Sequence, residues 1–281
     1  MTVTQEPVGT LVRRWRERRR RSQLDVSIAA DLSARHLSFI ETGRAHPSRA
    51  MIERLCEELE VPLRERNRLY LAAGFAPVYA ERALDDLGMA RAAVQAVLTG
   101  HEPNPAMAVN VRWDLLAANR AMRSFLGDVD ASVLTEPVNV LRVMLHPRGM
   151  AGRVRNYGPW RAGLLRRVRR QLERTAAAGL ADLLEEVRSY PQPPERAGAA
   201  GAVPDNDLVV PTVMATEHGD LSLHHALTVF GAARDVTLDE IAIETFFPAD
   251  ERSAGLLRAL ADAGGRERSN RPELRTVVPT E

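Results

Sequence analysis

Residues 22–49 read SQLDVSIAADLSARHLSFIETGRAHPSR: two short segments with helical apolar spacing, each opened by a serine and joined by a tight turn. A serine just before an amphipathic run accepts a backbone N–H that the helix leaves unpaired, so Ser22 and Ser33 predict two helix starts. Asp31 falls at the turn between them, a position that favours a left-handed conformation. Asp adopts it more readily than most residues, though less readily than Gly. Leu37 and Ile40 supply the buried pair of the second helix, Gly43 ends it, and Pro47 with Ser48 restarts the chain. Two such helices at a tight turn form a helix-turn-helix.

The flanks complete a bundle. Residues 8–21 carry Leu11, Val12, Trp15 and Arg18 at helical spacing, with Arg on the remaining faces. RAMIERLCEELEV sets Ile52, Leu55, Cys56 and Leu59 at i, i+3, i+4 and i+7, an amphipathic stripe that Pro62 breaks. LRERNRLYLAAG then gives a fifth helix ending at Gly74. The expectation is an N-terminal all-α helix-turn-helix domain of five short helices over residues 1–78. Ser33, Ala34, Arg35 and His36 stand on the front turn of the second reading segment, with Ser38 one turn on. Those types reach base edges when a helix N-terminus enters the major groove, Arg matching the bidentate face of guanine. Gln23 is placed to bond a phosphate and brace that helix, and Arg44 and Arg49 sit within reach of the backbone. Residues 13–21 hold seven Arg against one Glu, read as a phosphate-neutralising edge. The expected partner is a double-stranded DNA operator. A homodimer is expected because pairing half-sites multiplies the limited specificity of one module.

SQLDVSIAADLSARHLSFIETGRAHPSRAMIERLCEELEVP resembles the helix-turn-helix of phage-repressor-like (Cro/cI, XRE-type) regulators, over essentially all of residues 8–74. The resemblance implies a structural ion pair between Glu41 and an Arg of the first helix, for which Arg16 is the match. Two positions depart from the family pattern. Asp31 replaces the usual turn Gly, and Phe39 stands where such regulators often place a polar base reader. Phe39 either packs against the bundle, the favoured reading, or touches a thymine methyl.

FAPVYAERAL reads as a linker, and a second region over residues 83–262 has a different texture. Helices are predicted at about 86–99, 117–126, 137–146, 160–178 and 180–189, with short β-prone runs inside MAVNVRWDLLAAN. YPQPPERAGAAGAVPDND is a loop by composition. LVVPTVMATEHG, DLSLHHALTVFG and EIAIETFFP are of strand length, with a hairpin turn at Gly219–Asp220, and ERSAGLLRALAD closes with a helix. Residues 263–281 carry no core pattern and are expected to be a disordered tail. The class is α+β.

HEPNPAMAVNVRWDLLAANRAM, NVLRVMLHPRGM and NYGPWRAGLLRRVRRQL, with W-D-x-x-A-x-N, L-H-P-x-G and P-W in that order, resemble the ligand-binding domain of MmyB-like regulators. The resemblance implies a PAS-like α+β sensor joined to the helix-turn-helix. It also implies an apolar small-molecule effector, fatty-acid-like above all; no cofactor is expected. Candidate ligand contacts on the matched strings are Trp113, Asn119, Met144, His146, Tyr157 and Trp160, with Phe246 on a strand. Arg153 or Arg155 would meet a carboxylate bidentately. Each has a plainer role: Trp113 and Trp160 as core anchors, Asn119 as a helix cap, His146 bonding the last carbonyls of a helix. The Arg-rich helix over 161–174 reads as a solvated face unless it meets DNA, a subunit or an acidic head group.

Other classes fit less well. His218, His224 and His225 cluster with Glu217 and Asp220, but adjacent strand residues face opposite ways, so His224 and His225 do not share one ion. No H-E-x-x-H, G-x-S-x-G or P-loop pattern occurs, and an enzyme is not expected. Cys56 is the sole cysteine and lies on an apolar stripe, which reads as core rather than as a redox sensor. That lone Cys, no apolar run of about 18 residues and no signal-like start point to the cytoplasm of a prokaryote and away from a membrane. The competing reading is a non-sensory DNA-binding regulator whose second domain only dimerises or binds a protein partner.

Overall fold

The computed structural model describes residues 6–194 and 211–266. The first five helices are α1 (Val8–Arg18), α2 (Gln23–Ala29), α3 (Ala34–Glu41), α4 (Arg49–Glu58) and α5 (Leu63–Ala72). Their starts follow the serines. Ser22 accepts from Asp25 N and Asp25 answers to Ser22 N, a capping box, while Ser33 accepts from His36 N and Ser48 from Met51 N. Asp31 adopts φ +52°, as the turn requires. Leu11, Val12, Trp15, Val26, Leu37, Leu55 and Tyr70 close one core, with Cys56 inside it. Burial pushes the Cys56 thiol up to about 12. Gly9 is required where α1 crosses α3, because a Cβ there would lie 2.1 Å from the Ile40 carbonyl oxygen.

The second region contains α6 (Met89–Gly100), β1 (Ala106–Val109), β2 (Leu115–Ala118), α7 (Arg120–Leu126), α8 (Val140–Leu145), α9 (Tyr157–Thr175) and α10 (Leu180–Ser189). β3 (Thr212–Thr216), β4 (Gly219–Val229), α11 (Val236–Glu240), β5 (Ala242–Pro248) and α12 (Glu251–Arg266) follow. The five strands form one antiparallel sheet in the order β2-β1-β5-β4-β3, which is the PAS-like α+β domain expected. Alternation along the strands divides the burial. Ala106, Ala108 and Ile243 meet Val94 and Leu98 of α6 on one face. Met107, Leu221, Leu223 and Phe246 meet α7–α10 on the other.

Three expectations change. α11 was not foreseen, its five residues being too few to show a period. α12 runs through Arg266, four residues into the expected tail; residues 267–281 lie outside the described residues, as do 195–207 of the expected loop and the first three residues, 208–210, of the expected strand that follows it. The linker is tied down: Asn67 bonds Val78 N, Tyr79 N and Tyr79 O, and Ala80 O accepts from Val236 N.

Two sets of contacts join the regions. On one side Arg64 of α5 forks onto Glu240 of α11 at 2.6 and 3.0 Å, and Leu63 N donates to Asp239. On the other, Arg18 donates to the Leu172 carbonyl at 2.8 Å. Arg19 bridges the carbonyls of Leu59, Glu60 and Arg174. Guanidiniums at two helix C-termini oppose the negative ends of their dipoles.

Candidate functional site

Glu41 organises the exposed face of α3. Its side chain is 2% exposed and takes Arg16 Nε at 2.7 Å, Arg16 Nη2 at 2.9 Å and Gln23 Nε2 at 2.8 Å. The bond to Glu41 raises the Arg16 pKa further above its ordinary value. The carboxylate thus fixes α3 to both α1 and the start of α2. Gln23 braces α3 through Glu41, and one N–H of its amide makes no hydrogen bond among the described residues. Past Glu41, Gly43 at φ +73° closes α3 with bonds from Gly43 N to Ile40 O and from Arg44 N to Phe39 O. That turn accounts for Glu-Thr-Gly-Arg: an ion pair, a cap and a left-handed exit.

The face so presented carries Ser33, Arg35, Arg44 and Arg49 exposed, with Ala34, His36 and Ser38 half-buried. Arg49 also lies over the Tyr70 ring, 5.6 Å from its centroid. Phe39 is half-buried and outside the core; the Arg35 guanidinium lies 5.2 Å from its ring centroid. It therefore lies on the outer face of α3 beside Arg35 and not in the bundle core, where packing was the favoured expectation. The phosphate-neutralising edge read from residues 13–21 needs correction. Arg14 pairs with Glu6, Arg13 with Glu17, Arg16 with Glu41, and Arg18, Arg19 and Arg21 cap helix carbonyls. Only Arg20 of the seven has no side-chain partner among the described residues.

In the second region an apolar cavity of about 50 Å³ lies between the sheet and α7–α9. Met107, Met122, Met144, Met150 and Met214 line it with Phe125, Trp160 and Phe246, and its single polar lining residue is Thr212. Five of the eight methionines of the chain face this one space, which makes its walls unusually deformable. Met144, Trp160 and Phe246 among the sequence candidates stand on this lining.

The other candidates are placed elsewhere. Asn119 is buried with every amide position used: Oδ1 accepts from Ala106 N and Met122 N, and Nδ2 donates to the Leu98 and Asn104 carbonyls. It caps α7 and stitches β1 to α6. His146 ends α8, accepts from Arg148 N and meets the Tyr190 ring edge-on. Tyr157 is buried with its hydroxyl on the Leu145 carbonyl. Arg153 and Arg155 flank the cavity-lining Val154 but pair with Asp128 and Asp220. Gly149 of L-H-P-x-G sits where a Cβ would meet the Val143 carbonyl at 2.1 Å, so that motif shapes the end of α8.

Trp113 faces a second and larger space, about 950 Å³ between the two regions. Its φ is +68°, its indole N–H donates to Gln171 Oε1 at 2.9 Å, and Arg167 covers its ring at 4.7 Å. Arg167 also pairs with buried Glu244, which His225 approaches at 3.3 Å. Desolvation holds the His225 pKa below its ordinary value, against the pull of Glu244 and with the push of Arg167. His224 and His225 stand opposite Phe247 and Phe246 in successive register positions, hence on opposite faces of the sheet. Sequence reasoning missed the Arg167–Glu244–His225 cluster because its members lie on three elements; a lone Glu in the middle of an apolar strand was the available signal.

Comparison with known proteins agrees with this architecture. Residues 7–69 match the model of a helix-turn-helix domain family, and residues 90–260 match that of the MmyB-like transcription regulator ligand binding domain. No curated protein matches the chain. Among solved structures, an RNA-binding light-oxygen-voltage receptor aligns at 13% identity and TM-score 0.26, over 95% of this chain and 64% of that one. The chain therefore spans just under two thirds of that receptor's length. No helix among the described residues is long and apolar enough to cross a membrane. With more than half of its length matched by the ligand-binding domain and a helix-turn-helix ahead of it, the chain belongs to the MmyB-like transcription regulators.

Proposed function

We propose that the chain is a cytoplasmic, dimeric, XRE-type regulator that reads a specific operator and senses a fatty-acid-like molecule. Ser33, Ala34, Arg35, His36 and Ser38 of the α3 front turn read bases, and Gln23, Arg44 and Arg49 hold phosphates. The observation that carries the sensory part is the methionine-rich cavity, whose lining includes no titratable side chain. Its about 50 Å³ is far below the ~300–1,000 Å³ of sites that enclose drug-sized ligands. An alkyl chain enters by moving flexible methionines rather than by filling a preformed hole. Arg153 and Arg155, beside Val154 at the cavity wall, exchange their surface carboxylates for the ligand's.

Native mass spectrometry of the purified protein, with organic extraction after denaturation, tests this. The expected result is a released apolar molecule, and its loss in Met144→Trp, where the larger ring occupies the lining. Clean protein whose melting temperature is unmoved by saturated fatty acids of graded length contradicts the reading and favours a domain that only dimerises.

A further inference from the structure

We propose that the cleft between the two domains is a second ligand site, selective for a small organic anion with an apolar body. It is separate from the methionine cavity and independent of the reading given to it. At about 950 Å³ the cleft lies within the size range of enclosed ligand sites. Its roof is α5 of the helix-turn-helix domain; its walls are the last turns of α9 and the short α11; its floor is the sheet at β4 and β5.

Charge and polarity on that surface point to one kind of molecule. The acidic groups lining the cleft are engaged: Glu81 and Glu240 by Arg64, Glu65 by Arg68, Glu244 by Arg167, and Asp239 by Leu63 N. Arg170 and Arg174, one helical turn apart on α9, make no side-chain hydrogen bond or ion pair among the described residues. They are two unspent guanidiniums facing an otherwise neutralised surface, and their planar donors suit a carboxylate, sulfonate or phosphate. The floor between them and α11 is apolar. Leu227 is 43% and Val229 59% exposed on β4, both lining the cleft, with Ile241 beneath. A solvated gap between domains gains nothing from aliphatic side chains on its floor, whereas an amphipathic anion buries them and meets both arginines. Its walls come from both domains, so occupancy acts directly on their relative placement, between the Arg64–Glu240 join and the Arg18–Leu172 join.

The test titrates the full chain with 1-anilinonaphthalene-8-sulfonate, an aromatic sulfonate of this chemistry, following its fluorescence. The wild-type chain is expected to bind it saturably. Arg170→Glu with Arg174→Glu is expected to weaken binding at least tenfold, and Leu227→Asp to do the same from the floor. Misfolding cannot imitate that loss, because exposed core surface raises the fluorescence of this dye. Affinity within twofold of wild type in the double variant places the dye elsewhere, the methionine cavity included, and overturns the proposal. Absence of saturable binding to the wild-type chain overturns it as well.

Discussion

Replacing Glu41 by Ala removes the one carboxylate that joins α1, α2 and α3. The pair is buried, with side-chain exposures of 12% for Arg16 and 2% for Glu41, and three hydrogen bonds of 2.7–2.9 Å converge on it. Ala leaves the Arg16 charge in the same place with the Arg21 carbonyl as its remaining hydrogen-bond partner at 3.0 Å and the exposed Glu17 carboxylate 3.9 Å away. Breaking a buried pair from one side costs about 3–5 kcal/mol. At about 4–8 °C per kcal/mol for a domain of this size, the helix-turn-helix transition should fall by at least about 12 °C. Differential scanning calorimetry of the wild type and Glu41→Ala measures it. The double variant Arg16→Met with Glu41→Leu removes both charges and should recover most of the loss, since an apolar pair of similar volume often matches a buried ion pair. A Glu41→Ala transition within about 0.5 kcal/mol of wild type, the range of ordinary surface substitutions, would refute the claim that this pair is desolvated.

Three further outcomes follow from the same geometry. Arg35→Ala should cost about 1–3 kcal/mol of operator affinity and relax one base position, whereas Arg49→Ala should weaken all sequences alike; binding to a randomised operator pool separates the two. Gly9→Ala should destabilise the first domain by at least about 1–3 kcal/mol in chemical denaturation, since the new methyl meets the Ile40 carbonyl at 2.1 Å and α1 must back away from α3. His225 is held neutral by desolvation beside Arg167 and Glu244, so the unfolded chain binds its proton first as pH falls. Stability from this group is therefore full above about pH 6.5, the unperturbed His value, and falls as pH drops toward the folded value. His225→Asn should flatten that part of a melting-temperature profile.

The parts legible in the sequence are those fixed within a few residues. Ser22, Ser33 and Ser48 cap the helices they precede because a cap is satisfied three residues away. Asp31 and Gly43 take their left-handed turns for equally local reasons. The Arg16–Glu41 pair spans 25 residues and came from a family resemblance, not from spacing. The arginines of α1 were misread for a physical reason: a guanidinium reaches several ångströms, and which carbonyl it finds depends on where α4 and α9 end. The methionine cavity was legible in part. Trp160 and Met144 lay on quoted strings and Phe246 on an expected strand. Met107 and Met214 meet them through the register of the sheet, and Met122 and Met150 through the packing of α7 and of the chain after α8, neither of which periodicity supplies.

The central claim is that ligand binding in the second domain changes how tightly the first domain holds DNA. It is tested most directly by the affinity of the full chain for a selected operator, read by fluorescence anisotropy at fixed salt, with delipidated protein and with protein reloaded with the extracted ligand. The account predicts a change of about 5–150-fold, the range of ordinary allosteric coupling. Equal affinities, with the ligand shown to be bound, would contradict it and leave the second domain a role in assembly alone.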